Sequence, residues 1–279
     1  AEEIFERLRS NPAVPSQPWE GWGISKEEWV KYVQDRIRRD QGTPREGTPA
    51  PDFTVERLDP KGQRTGEMFT LSSLFGKPIA LLFGSYTWPP FRAKAVRLNE
   101  IYQNYKDQIE FCCIYIKEAH PEDSVGGYKT EVNRSIGIIY DQPVAIEERA
   151  DIAEVCVLKL DLEMPMYLDG MDDDAEEKYK GWPDRLFLIG SDKKIAYAGD
   201  MGPLGFDPDA WGEAIKNTII WISYLNDLFM LKYETVAPWW KKFISGEQNG
   251  SIPLGASDRF NFAWQLIHVH GNVFLGRIF

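Results

Sequence analysis

The chain has 279 residues, 43% apolar and 27% charged, which is enough to bury one sizeable core with extensions. Its net charge of −11 excludes the basic stripe that a nucleic-acid binder needs, and three cysteines exclude a disulfide framework.

Residues 1–9 carry a short helical pattern, and residues 11–23 are rich in Pro and Trp with turn character. Ser25-Lys26-Glu27-Glu28 reads as a capping box opening a helix to residue 39, with Trp29, Val33 and Ile37 on one side. That side must pack on the domain or on a partner. Residues 41–51 form a Gly/Pro linker, and residues 53–58 begin the domain as an edge strand. The run Pro78-Ile79-Ala80-Leu81-Leu82-Phe83 suits a strand buried on both faces. Pro90 suits a first helical turn, and Phe91, Ala95, Leu98, Ile101, Tyr102 and Tyr105 recur beyond it at helical spacing.

Residues 109–116 make a second core strand that points Cys112 and Cys113 to opposite faces. It delivers Tyr115, Glu118 and His120 near its carboxyl end, the edge where ligands of open α/β sheets gather. Residues 147–158 are helical, with Cys156 as a small buried apolar residue, and residues 166–168 form a short strand. Asp172-Asp173-Asp174 lacks the spacing of a calcium loop and instead caps and starts a surface helix. Residues 185–189 and 195–198 form a hairpin around Gly190-Ser191-Asp192-Lys193. A helix from Asp207 to residue 233 follows, with Trp211, Ile215, Ile219, Ile222, Leu225 and Phe229 at mixed three- and four-residue spacing.

The tail, residues 233–279, carries Trp239, Trp240, Phe243, Phe260, Phe262, Trp264, Phe274 and Phe279. Between residues 260 and 279 Arg277 is the one formal charge, yet Asn261, Gln265, His268, His270 and Asn272 intervene, so no transmembrane helix is expected. The tail either wraps the domain or docks on a partner subunit or membrane interface, where Trp and Phe anchors are effective. His268 and His270 share one face of a strand, but no metal is assigned to them. The chain is expected to be soluble, whether cytoplasmic or peripheral to a membrane complex.

Five motifs between residues 50 and 220 carry a resemblance. Gly84-Ser85-Tyr86-Thr87-Trp88-Pro89-Pro90-Phe91 is similar to the Gly-Ser-x-Thr-(Sec or Cys)-Pro-Pro-Phe loop of the iodothyronine deiodinases and their bacterial relatives. Tyr115-Ile116-Lys117-Glu118-Ala119-His120 resembles the family's Tyr-Ile-Glu-Glu-Ala-His segment, and residues 165–171 its next strand. Trp182-Pro183-Asp184-Arg185-Leu186 and Tyr197-Ala198-Gly199-Asp200-Met201-Gly202-Pro203 resemble its Pro-x-Arg-Leu strand and its Tyr-x-Gly-x-x-Gly-Pro turn.

The resemblance implies an α/β, thioredoxin-like fold: a central mixed sheet flanked by helices over residues 47–232. A helical extension and linker (1–46) precede it, and the aromatic tail follows. It implies a cis-proline at Pro183 facing the Trp88 loop, and a homodimer as one arrangement. Ser85, Thr87, Tyr115, Glu118, His120 and Arg185 match positions that the family places around its substrate and selenium. Arg185 would hold a carboxylate or phenolate, and His120 with Glu118 would shuttle a proton. Three positions depart: Trp88 replaces the nucleophile, Tyr86 stands where a resolving Cys is often found, and Asp141 falls near a family His.

Indole has neither an ionisable group nor an attacking electron pair. Trp88 is either a core aromatic filling the vacated site or a selenocysteine codon read as Trp. Two functional readings follow. One is a pseudoenzyme without a cofactor, acting as a binding or accessory subunit that meets a protein partner through its terminal extensions. The other is an oxidoreductase of the deiodinase type, or a non-redox enzyme using His120, Glu118 and Arg185.

Overall fold

Helix α1 (Lys26–Asp40) begins where the sequence says it should. Ser25 Oγ accepts from Glu28 N at 3.2 Å, while the Glu28 carboxylate accepts from Ser25 N at 2.8 Å. The computed structural model describes residues 25–124 and 131–224. The expectations for residues 1–9 and 11–23, the aromatic tail, His268 and His270, and the end of the long helix lie outside them.

The sheet contains β1 (Thr54–Leu58), β2 (Arg64–Thr70), β3 (Ile79–Gly84), β4 (Glu110–Tyr115), β5 (Met166–Leu168), β6 (Arg185–Ile189) and β7 (Ile195–Ala198). Their spatial order is β2-β1-β5-β4-β3-β6-β7. Strands β3, β4 and β5 run parallel, and the remaining pairs are antiparallel. All six residues of β3 are buried, as its continuous apolar run requires for a strand with both faces covered.

Against expectation, β1 is not an edge strand, because it pairs with both β2 and β5. The true edge is β2, in which Phe69 alone is buried, so it shows no apolar alternation to read. Buried Glu56 ties the two strands together by accepting from Arg64 Nε at 2.9 Å and Gly66 N at 2.8 Å.

Helices α2 (Pro89–Tyr105) and α4 (Ile146–Leu160), with α6 (residues 208–224), cover one face through Phe91, Leu98, Cys156 and Trp211. The opposite face packs Phe53, Leu71, Phe83 and Phe187 against Ala175 and Tyr179 of α5 (Asp174–Tyr179). A short helix, α3 (Glu131–Ser135), lies between β4 and α4. Cys113 faces the first core and Cys112 the second, as strand alternation demands. The cap of α5 differs from expectation: Asp173 makes no side-chain cap, and the buried carboxylate of Asp169 accepts from Ala175 N and Glu176 N instead.

The linker also does more than connect. Gly47 N donates to Ile195 O, Ile195 N to Thr48 O and Ala50 N to Lys193 O, so residues 47–50 cover the open edge of β7. Helix α1 buries Trp29 and Val33, and its last turn is held by charge. Arg39 pairs with Glu176 and Glu177, and Asp40 Oδ1 lies 2.7 Å from Nη2 of fully buried Arg185. Asp40→Asn would remove the carboxylate paired with that guanidinium. Urea unfolding should show a loss of about 3 kcal/mol, and a loss under about 1 kcal/mol would mean that the pair does not anchor α1.

Candidate functional site

The loop between β3 and α2 is shaped by close packing. A Cβ on Gly84 would lie 2.6 Å from the ring of Phe91, so only glycine lets the strand end against the first turn of α2. Trp88 occupies the N-cap position with φ −86° and ψ 108° and supplies no side-chain cap, and Pro89 and Pro90 fill the next two places.

Glu118 anchors this loop. Its buried Oε2 accepts from Thr87 N at 2.8 Å and from Thr87 Oγ1 at 2.6 Å, while Oε1 accepts from the Tyr115 hydroxyl. The Tyr115 oxygen in turn accepts from Tyr86 N at 3.1 Å, and Thr87 Oγ1 accepts from His120 N at 3.0 Å. Burial pushes the Glu118 carboxyl up, opposed by the Thr87 and Tyr115 hydrogen bonds. Both carboxylate oxygens are thus engaged within the fold, so Glu118 serves as a clamp on the loop.

Three groups that the sequence reading passed over complete the frame. Asn133 on α3 donates to Thr87 O at 2.8 Å, Arg92 donates to Tyr86 O and Asn133 Oδ1, and Gln142 Oε1 accepts from Glu118 N at 2.9 Å. Asp141 is exposed, and its neighbour Gln142 is the residue of that segment that reaches the site.

Trp88 is 7% exposed, packs in the α2-side core, and stacks on His120 with ring centroids 5.1 Å apart and planes 26° apart. Its indole N–H is buried without a hydrogen bond of normal geometry, as are Ser85 Oγ and both carboxylate oxygens of Asp184. Asp184 is fully buried, and burial lifts its carboxyl to about 7, opposed first by the Trp88 indole N–H and then by Arg36 and Arg185. Its place beside Pro183 in the Pro-Asp-Arg motif was the available signal. The Trp182–Pro183 bond is cis, as the resemblance implied; Gly202–Pro203 is cis as well.

Arg185 is not part of this group. Side chains alternate along β6, so Leu186 and Leu188 face the core of Trp88 while Phe187 and Ile189 face the other, and Arg185 shares their parity. It holds the chain's own Asp40 and the carbonyl of Gly199. A cleft of about 370 Å³, lined by Tyr32, Arg36, Lys117, Pro121, Gln142 and Trp182 among others, lies between α1 and the stretch after β4, and Trp88 does not line it. Burial pushes the Cys112 thiol up to about 12 and raises those of Cys113 and Cys156, which favours the neutral thiol at all three. Among the described residues no cluster of metal-ligating side chains forms, and no helix is long and apolar enough to cross a membrane.

The family model for iodothyronine deiodinase matches residues 2–216. The chain belongs to the iodothyronine deiodinase family. Thyroxine 5-deiodinase of Gallus gallus is 32% identical over 164 residues, covering 57% of this chain and 58% of its own length. The Ovis aries protein of the same name is 32% identical over 161 residues, 58% of this chain and 51% of its own. The chain therefore spans little more than half the length of these deiodinases. A secreted Mycobacterium tuberculosis disulfide oxidoreductase structure aligns with 59% of this chain and 95% of its own, at 16% identity and TM-score 0.41. The sheet order, the loop at the end of β3 and the cis-proline before β6 together give this deiodinase-family chain its thioredoxin-like fold.

Replacing Glu118 with Gln puts an amide donor against Thr87 or Tyr115, leaving a buried donor without an acceptor at a cost of about 2 kcal/mol. The Thr87 amide should then exchange with solvent roughly 30-fold faster; unchanged exchange would show that the loop is held elsewhere. Asp184 gives a pH signature. The folded chain binds this proton more tightly than the unfolded chain does. The stabilisation is therefore present below about pH 4 and lost as pH rises through 7. The stability difference between wild type and Asp184→Asn, read from urea unfolding, should swing by about 4 kcal/mol between pH 4 and pH 8, in favour of the variant at high pH.

Proposed function

We propose that this protein is a binding or accessory member of the deiodinase family that has kept the active-site scaffold and lost the redox nucleophile. The observation that carries this reading is the seat of Trp88: an indole fills the N-cap position of α2, buried and stacked on His120. Thiol and selenol chemistry needs an ionisable group at that place, and indole offers none. The engaged oxygens of Glu118 and the pairing of Arg185 with Asp40 further support a scaffold role over a proton shuttle and a substrate anchor. Under this reading the aromatic tail and the N-terminal extension provide the contact surface for a protein partner.

A second reading is favoured by one observation, the intact clamp on Thr87, which presents residue 88 as a working loop would. The matched relatives are named as thyroxine 5-deiodinases. If residue 88 is selenocysteine in the source organism, the protein is an oxidoreductase of that type.

Gentle purification from the source organism, with mass spectrometry of the peptide spanning residue 88 and of co-purifying proteins, separates the two. The accessory reading expects Trp at 88 and a stoichiometric partner; selenocysteine at 88, or thiol-dependent dehalogenation by the Trp88 protein, overturns it. Trp88→Cys should leave partner association intact.

A further inference from the structure

Asp184 has no place in the readings above, yet its surroundings are unusual. It is fully buried, and neither carboxylate oxygen has a hydrogen bond of normal geometry, an arrangement that normally costs a carboxylate heavily. The turn after β7 presses directly on it, since a Cβ on Gly202 would lie 1.8 Å from Asp184 Oδ1. Two further orphaned groups of the site, Ser85 Oγ and Trp88 Nε1, lie in the loop.

We infer that Asp184 is the proton-binding residue of this site, a buried acid set against position 88 that exchanges one proton according to what residue 88 presents to it. The inference does not depend on whether the protein is catalytic. A hydrogen-bond donor at position 88 favours the carboxylate, and an apolar group favours the neutral acid. A thiol there would pass its S–H proton to the carboxylate, leaving a thiolate and a neutral carboxylic acid, with no further reactant needed.

The groups acting on Asp184 come from each element around it. The loop supplies the Trp88 indole N–H, α1 supplies Arg36, β6 supplies Arg185, and the turn supplies the backbone N–H of Gly202. Arg36 also donates to Gly202 O and to Met201 Sδ, so its charge is held at that turn. Arg185 is neutralised in part by Asp40 and lies near Asp200. His120 stacks on Trp88, so it needs its own control. Among the described residues Asp169, lifted by burial to about 6, is the other aspartate raised well into this range.

The test is carboxyl 13C NMR of the full chain labelled at aspartate, titrated from acid to alkaline pH, with Asp184→Asn assigning the resonance by its loss. Wild type should show an Asp184 resonance with a midpoint near neutrality. In Trp88→Phe, which removes the indole donor, the midpoint should rise by roughly half a unit or more while that of Asp169 stays put. His120→Asn should leave the Asp184 midpoint in place. Should Asp184→Asn fail to fold, the Trp88→Phe shift decides by itself. An Asp184 carboxyl that titrates in the ordinary aspartate range, or a midpoint indifferent to Trp88→Phe, overturns the inference.

Discussion

The loop at the heart of this protein is held by a carboxylate that has left water behind. Glu118 sits in the interior with both oxygens satisfied, by the amide and hydroxyl of Thr87 on one side and the Tyr115 hydroxyl on the other. A buried carboxylate is tolerable only when its lone pairs are filled, and filling them fixes the donors in turn. Thr87 cannot move without leaving a buried carboxyl oxygen unpartnered, and Tyr115 and Thr87 pass the constraint on to Tyr86 N and His120 N. The shape of the loop is thus set by residues around position 88 and not by position 88 itself. The loop can therefore keep this shape around an indole.

Charge organises the rest of the unit in the same manner. Helix α1 buries Trp29 and Val33, and its last turn is fastened by Arg39 to Glu176 and Glu177 and by Asp40 to Arg185. The buried Arg185 would be costly without a counter-charge, and Asp40 supplies one from the extension. The extension is therefore part of the electrostatic balance of the domain. Parity along β6 then separates two neighbours in sequence: Arg185 turns toward α1, and Asp184 is left with Trp88.

Local signals were readable in the sequence and long-range ones were not. The capping box at Ser25, the apolar run of β3, the hairpin of β6 and β7 and the short β5 each depend on residues within a few positions, and each appears as expected. The edge strand β2 has no alternation because one residue of seven is buried, so no pattern could mark it, and β1 was read as the edge in its place. The α5 cap comes from Asp169, beyond the acidic run that drew attention. Motif matching named Glu118, His120 and Arg185 as one pocket, but it has no knowledge of which face a strand residue takes. Glu118 became a clamp and Arg185 an anchor for α1 once their partners were known.

Tryptophan is tolerated at position 88 for reasons in the backbone as much as in the core. An N-cap residue without an accepting side chain ordinarily leaves helix N–H groups unsatisfied. Here Pro89 and Pro90 have no N–H to satisfy, so a cap would have fewer donors to serve. The indole meanwhile finds a ring partner in His120 and apolar walls in the α2-side core. One polar atom of the residue remains without a good partner, its N–H, and one carboxylate nearby has the same lack. The Trp88 N–H acts on that carboxylate, so what residue 88 presents bears on the charge of Asp184.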